Sequence, residues 1–315
     1  MSIIVEVRSM FPIHENRIWG YIDMRGNVVV SPQFDGAFYG SEAFYRVKKN
    51  GKQGFISMDN GNIPLKYDVV GGFNEGFSPI KCGSGWGFID KWDKVIIPPV
   101  YQQVRHFSEG WAWVKTIEDV IQYLDAEGNV QLQFTNVEVG NFSHGLAFFR
   151  DKKTKRNGYI NKAGELVISS TLFNAGVRFA EGLAPARYYT TGKKCFINTS
   201  GDIVIPPLFD SADDFSEGLC SVAINGKWGY INKMGDIVIP LLFDYASEFY
   251  EGTAYVVVGD QYGIINKTGE FIIEPKYDGT DNQSADQKLI RFHLGKKFIY
   301  VDRHTGNEIF QFDYV

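Results

Sequence analysis

Runs of β-branched and aromatic residues recur along the chain at a near-constant interval, each broken by Gly, Asn or Asp. The stretch KWGYINKMGDIVIP, residues 227–240, shows the form: an apolar run, four turn residues, then a second apolar run with proline at its end. Variants read IWGYIDMRGNVVVSP, GWGFIDKWDKVIIPP, NGYINKAGELVISS, KCFINTSGDIVIPP and YGIINKTGEFIIEP. The glycine after the tryptophan, or its equivalent, falls at Gly20, Gly54, Gly87, Gln122, Gly158, Cys195, Gly229 and Gly263, with a degenerate ninth copy near Ile299. Intervals of 33 to 37 residues mark a tandem repeat.

Each unit predicts a β-hairpin and one further strand. In Asn232-Lys233-Met234-Gly235 the Asn can bond its own backbone and the Gly supplies a positive φ. Asp93 replaces that Gly in the third unit, and Asp tolerates the left-handed region. About ten residues on comes F-S-E-G, as at Phe215-Ser216-Glu217-Gly218, followed by a third apolar run. Runs such as Val28-Val29-Val30 and Val95-Ile96-Ile97 do not alternate with polar residues, which predicts strands covered on both faces. Pro98, Pro206 and Pro240 are expected to end the second strand, because proline donates nothing to a ladder.

A three-stranded sheet of this size is marginal alone and must bury its faces against neighbours. The expectation is therefore one all-β domain over residues 1–315, built from about eight or nine three-stranded antiparallel units. Residues 1–17 would form an N-terminal cap strand, about 18–295 eight repeats, and about 296–315 a degenerate C-terminal capping repeat. Propeller blades usually have four strands and about 40 residues, so an open superhelical stack is expected over a closed propeller. Trp19, Trp86 and Trp228 are read as filling the gaps between sheets. Gly20, Gly87 and Gly229 would let a backbone pass close by.

Composition narrows the function classes. At 44% apolar and 15% aromatic the chain is globular. Its formal net charge of −5 argues against phosphate-backbone binding, so no nucleic-acid partner is expected. Cys82, Cys195 and Cys220 are an odd number with no C-x-x-C pair, and His14, His106, His144, His293 and His304 show no metal-ligand spacing. Neither a metal nor a cofactor is expected. Glu6 and Arg8 interrupt the first apolar run and no stretch reaches membrane-span length, so a cytoplasmic location without membrane insertion is expected.

The Trp19-Gly20, Trp86-Gly87 and Trp228-Gly229 pairs, the D/N-x-x-G turns, the I-V-I-P strands and the F-x-E-G elements together resemble the WG-repeat (KWG-repeat) proteins of bacteria. The resemblance runs from about Ile18 to about Phe310. It implies an all-β repeat scaffold, often accessory to other proteins, with no common enzymatic activity or cofactor. It departs where Gln53, Asn157, Lys194 and Tyr262 stand for Trp, and where the eighth unit lacks F-x-E-G.

Residues present in nearly every unit are most simply scaffold. The recurring Glu75, Glu109, Glu181, Glu217 and Glu251 are therefore expected to bond backbone N–H groups at a turn, not to act as catalytic carboxylates. Gly83-Ser84-Gly85-Trp86-Gly87 leads into a strand and matches a phosphate loop only superficially. Function is sought where units differ. The connections at 150–156 and 187–194 are long, basic and aromatic, which makes Lys153, Arg156, Arg187, Tyr188 and Tyr189 candidates for an anion-favouring protein-binding edge. Trp92, Trp111 and Trp113 form a second candidate group that could stack on a ligand such as a sugar. The expected function is a non-catalytic scaffold that binds another protein, in a toxin-neutralising (immunity-type) or accessory role. The alternative is a carbohydrate or cell-envelope binding module, and a small-molecule ligand is not expected.

Overall fold

The computed structural model describes residues 9–313 except 59, 170, 172, 175–177 and 281–287. Among them the chain forms nine antiparallel sheets, one per repeat, with strands in sequence order within each sheet. Eight sheets have four strands, one more than the sequence pattern shows. In the eighth unit they are Tyr245–Ala246, Thr253–Val258, Gln261–Asn266 and Phe271–Tyr277. The extra strand is the first one, which in six of the eight has two residues and is too short to leave a periodicity; in the second and fifth units it is longer, Gly36–Ser41 and Val137–Ser143. The first sheet has three described strands, Phe11–Glu15, Ile18–Ile22 and Val28–Phe34.

The expected open stack is not what forms: the sheets close into a nine-bladed β-propeller. From the fourth blade to the ninth, the turn glycine of each blade sits on the fourth strand of the blade before it. A Cβ at Gly201 would lie 2.9 Å from Ile168, one at Gly235 3.0 Å from Ile205, and one at Gly269 3.1 Å from Ile239. Gly26 of the first blade stands in the same relation to the last, 3.1 Å from the Ile309 carbonyl oxygen. Phe11, Ile13 and Ile22 share a buried cluster with Leu289 and Tyr300, and the Tyr300 hydroxyl donates to the Pro12 carbonyl at 2.6 Å. The ninth unit, with strands Lys297–Asp302 and Glu308–Asp313, thus packs on the first instead of ending an array.

The first strands lie nearest the axis, since one cavity is lined from five successive blades, from Asn74 to Asp214. Fourth strands form the rim. They are less covered than the unbroken apolar runs imply, with Ile237 54% and Val95 47% exposed. Pro98, Pro206 and Pro240 do not end these strands, which run on as Val95–Tyr101, Ile203–Phe209 and Ile237–Phe243. Proline is tolerated there because an edge strand leaves some N–H groups unpaired anyway, and each proline enters a bulge. Trp228 pairs with Phe243 and Tyr230 with Ile239, so three rim residues lie opposite Gly229 alone. That crowding is what the glycine answers. A Cβ at Gly229 would meet the Ile239 and Pro240 carbonyl oxygens at 2.5 and 2.6 Å. Where Gln122 or Ile299 replaces it, pairing with Gln133 or Gln311 is in register and the bulge is gone.

Trp228 packs between blades as expected, its ring 5.4 Å from Tyr245 of the next blade. The D/N-x-x-G turns also form as expected: Asn232 Oδ1 accepts from the N–H groups of Met234 and Asp236 at 2.9 and 3.0 Å. Asp93 takes φ 66° at the glycine position.

Candidate functional site

Two rings of repeated polar contacts fix one blade to the next. On one face of the propeller the F-x-E-G turns place Glu and Gly in succession at positive φ, as at Glu217 (53°) and Gly218 (85°), a two-residue turn of the I′ kind. The carboxylates reach backbone N–H groups, as expected for structural residues, but those of the following blade. Glu75 accepts from Glu109 and Gly110 at 2.7 and 2.8 Å, and Glu181 from Gly218 at 3.1 Å. The turn lysines of the third-to-fourth strand hairpins close over them, Lys233 to Glu181 at 2.9 Å and Lys267 to Glu217 at 3.0 Å. Partial burial works to raise the Glu181 carboxyl, but Lys233 and the donated N–H groups outweigh it and hold it below the usual range.

The opposite face carries the hairpins between second and third strands. An Asp before the first strand in five blades, Asp35, Asp68, Asp210, Asp244 and Asp278, not singled out from the sequence, caps these hairpins. Asp244 accepts from the Gly259 N–H at 2.8 Å and pairs with Lys227 of the preceding blade. Asp210 does the same with Asn225 and Lys193.

With repeated residues committed to these contacts, the non-repeating ones gather at two places. The first is the axis at the F-x-E-G face. The residues just before the F-x-E-G phenylalanine are Gly72, His106, Asn141, Arg178, Asp214 and Glu248, different in every blade. Arg105, Asn141, Arg178 and Asp214 line a cavity of about 550 Å³ with Trp113, Phe142 and Phe148. Arg178 Nε donates to Asp214 at 2.8 Å. Burial pushes the Asp213 carboxyl up, and burial with the charges of Asp214 and Asp213 does the same to Glu248. Burial, then the Arg105 charge, pushes His106 down, keeping it neutral.

The second place is the hairpin face. Second-strand residues paired with the third-strand residue at the repeat's tryptophan position are Lys48, Lys81, Lys115, Arg150 and Arg187 in five consecutive blades. The next two blades have Ala223 and Val257 there. An acidic chain thus gathers cations along one arc, of which Lys115 and Arg150 are paired with Asp119 and Glu138 at 2.6 and 3.2 Å.

The model of the WG containing repeat matches residues 19–52, 62–85, 86–116, 158–188, 196–228, 228–262 and 262–282. The chain belongs to the WG-repeat family. The matched segments leave out 117–157, the WG repeat in which Gln122 replaces glycine and the bulge is lost. No curated protein matches the sequence. Among solved structures, the computationally designed Ika8 protein is similar over 96% of this chain and 98% of its own, at 9% identity and a TM-score of 0.50. BamB from Moraxella catarrhalis is similar over 84% and 93%, at 12% identity and a TM-score of 0.48. At such identities the likeness concerns the fold alone.

The WG-repeat ring separates the candidate residues. The two long hairpins do stand side by side on one face, bridged by Asn157 Nδ2 donating to the Tyr189 hydroxyl at 3.2 Å. Arg187 and Tyr189 are exposed, as are Lys153 and Arg156, whereas Tyr188 packs against a buried cluster and is not a free anchor. The tryptophans do not form one group. Trp92 is 83% exposed on a turn, Trp111 stacks edge-on against Phe142 under Lys162, and Trp113 is buried at the axial cavity. Among the described residues no three His, Cys, Asp or Glu side chains converge as a metal ion would need, and no helix is long and apolar enough to cross a membrane.

Proposed function

We propose that this WG-repeat ring is a non-catalytic scaffold that binds another protein, and that the hairpin face is where the partner docks. The observation that carries the reading is the run of Lys48, Lys81, Lys115, Arg150 and Arg187 opposite the repeat's tryptophan position in five consecutive blades on a chain of net charge −5. Such a field favours a partner with an acidic surface and speeds its encounter. Lys153, Arg156, Arg187 and Tyr189 on the two long hairpins would make the contacts at closest range. A toxin-neutralising or accessory role is compatible with such a face. The carbohydrate reading keeps Trp92 alone, because Trp111 and Trp113 are packed inward.

The test is site-directed capture from the native host, with a photo-crosslinking amino acid at position 189 or, as a control, at position 238 on the rim. A protein crosslinked from 189 and not from 238 is expected. Its capture should be lost in the Lys153→Glu, Arg156→Glu, Arg187→Glu triple variant and weakened as salt rises. Equal capture by the triple variant would overturn the proposal.

A further inference from the structure

The geometry points to a second binding site, on the other mouth of the axial channel, shaped for an organic anion with a ring-bearing body. Its floor is aromatic: Trp113, 8% exposed, and Phe148 face the cavity. Its walls carry donors. The Arg105 guanidinium lies 5.9 Å over the Trp113 ring and has no acidic partner among the described residues. The Arg178 side chain, another residue of the lining, is 65% exposed and gives Asp214 one N–H, so its fork has further donors to offer. Asn141 adds an amide on the blade between them. At about 550 Å³ the space has the size of ordinary small-ligand pockets.

Internal repetition supplies the independent argument. Arg105 stands where other blades have Gly71, Gly140, Asp213 or Ser247, and Arg178 stands where they have Gly72 or Asp214. The blades therefore form without these groups, so packing alone does not call for two guanidinium groups above an aromatic floor. A planar fork matches a carboxylate in a bidentate way, and a ring can stack below it. Asp214 stays compatible with an anion because Arg178 already neutralises it, while Asp213 and Glu248 confine the anion-favouring part to the Arg105 side.

The same chemistry can come from a free aromatic carboxylate or from the C-terminal residue of a peptide, and calorimetric titration of the full chain separates the two. N-acetyl-L-phenylalanine and its amide form one pair of probes. A short peptide ending in Phe, with a free or an amidated C-terminus, forms the other. In at least one pair the free carboxylate should bind tenfold or more tightly than its amide, and the pair that does so identifies the source. Arg105→Gln should bring the carboxylate down to the level of its amide with the urea midpoint unchanged. The hairpin-face triple variant should bind as the parent does, which separates this site from the protein-docking face. Absence of binding in both pairs, equal binding of acid and amide, or a preference that survives Arg105→Gln would overturn the inference.

Discussion

Replacing Gly229 by alanine tests why the repeat carries a glycine in the third strand. The added Cβ would stand 2.5 Å from the Ile239 oxygen, 2.6 Å from the Pro240 oxygen and 2.7 Å from the Pro240 carbonyl carbon, all backbone atoms. No rotamer change relieves that clash. The rim strand must retreat by roughly half an ångström or more, an overpacking that typically costs about 1–3 kcal/mol, and the ladder bonds beside it are worth about 1 kcal/mol each. We expect a loss of about 2–3 kcal/mol in urea unfolding, which for a chain of this length corresponds to a melting temperature lower by about 3–5 °C. Gln122→Ala is the matched control, because Gln122 pairs in register with Gln133 and its side chain is accommodated. It should cost less than about 1 kcal/mol. The sixth unit already holds Cys195 at this position with the same slipped pairing, so one blade has adapted to a small side chain as part of its native packing. Gly229 has no such adaptation around it. A Gly229→Ala loss within about 0.5 kcal/mol of zero, or one no larger than that of Gln122→Ala, would refute the account.

Three further outcomes follow from the same contacts. Glu181 and Glu217 are held below the usual carboxylate range, so their contribution is complete above the unfolded value of about 4.3 and is lost as pH falls through the depressed folded value; the Glu181→Gln, Glu217→Gln variant should therefore flatten the acid limb of a melting-temperature profile, and an unchanged limb would count against the clamps. Tyr300→Phe removes the bond to Pro12 that joins the last blade to the first and should cost about 1 kcal/mol in urea unfolding; no change would show that this bond adds nothing to ring closure. Cys82 is exposed while Cys195 and Cys220 are buried with burial pushing both thiols up, so a thiol reagent should label one cysteine in the native protein and three in denaturant; rapid labelling of all three in the native state would contradict the burial.

The period, the hairpins and the scaffold role of the repeated glutamates were legible because each rests on local chemistry that the chain writes many times over. A turn needs its Asn and Gly within four residues, and they stand there. Closure was not legible, since it depends on small rotations between successive sheets that accumulate until Pro12 meets Tyr300, and no local signal encodes the sum. The inner strand escaped notice because Ser211–Ala212 or Tyr245–Ala246 is too short to alternate. The prolines misled for a related reason. Pro240 does lack a donor, but at a bulge in a rim strand the missing donor ends nothing, so Ile237–Phe243 continues through it. Of the candidate residues, the two long hairpins were placed together correctly because adjacent units must share an edge. Trp111 and Trp113, two residues apart in sequence, went to different surroundings.

The two rings of contacts also explain why new chemistry in this chain has only a few places to appear. Most blades are tied to the next at the F-x-E-G face through a carboxylate, in several with a lysine over it, and five blades carry an aspartate that caps a hairpin at the other face. A change at one of the inter-blade contacts disturbs two blades at once. The residue before the F-x-E-G phenylalanine belongs to neither ring, and its neighbours across the axis come from other blades. It can therefore be Gly72, His106, Asn141, Arg178, Asp214 or Glu248 without altering how a blade folds. Hairpin length is free for the same reason, since a residue added at 150–156 or 187–194 extends into solvent without displacing a strand. A closed ring brings the first kind of position together at its centre and lines up the second along one face, so small changes in separate units combine into one surface. An open stack of the same units would have spread both along its length.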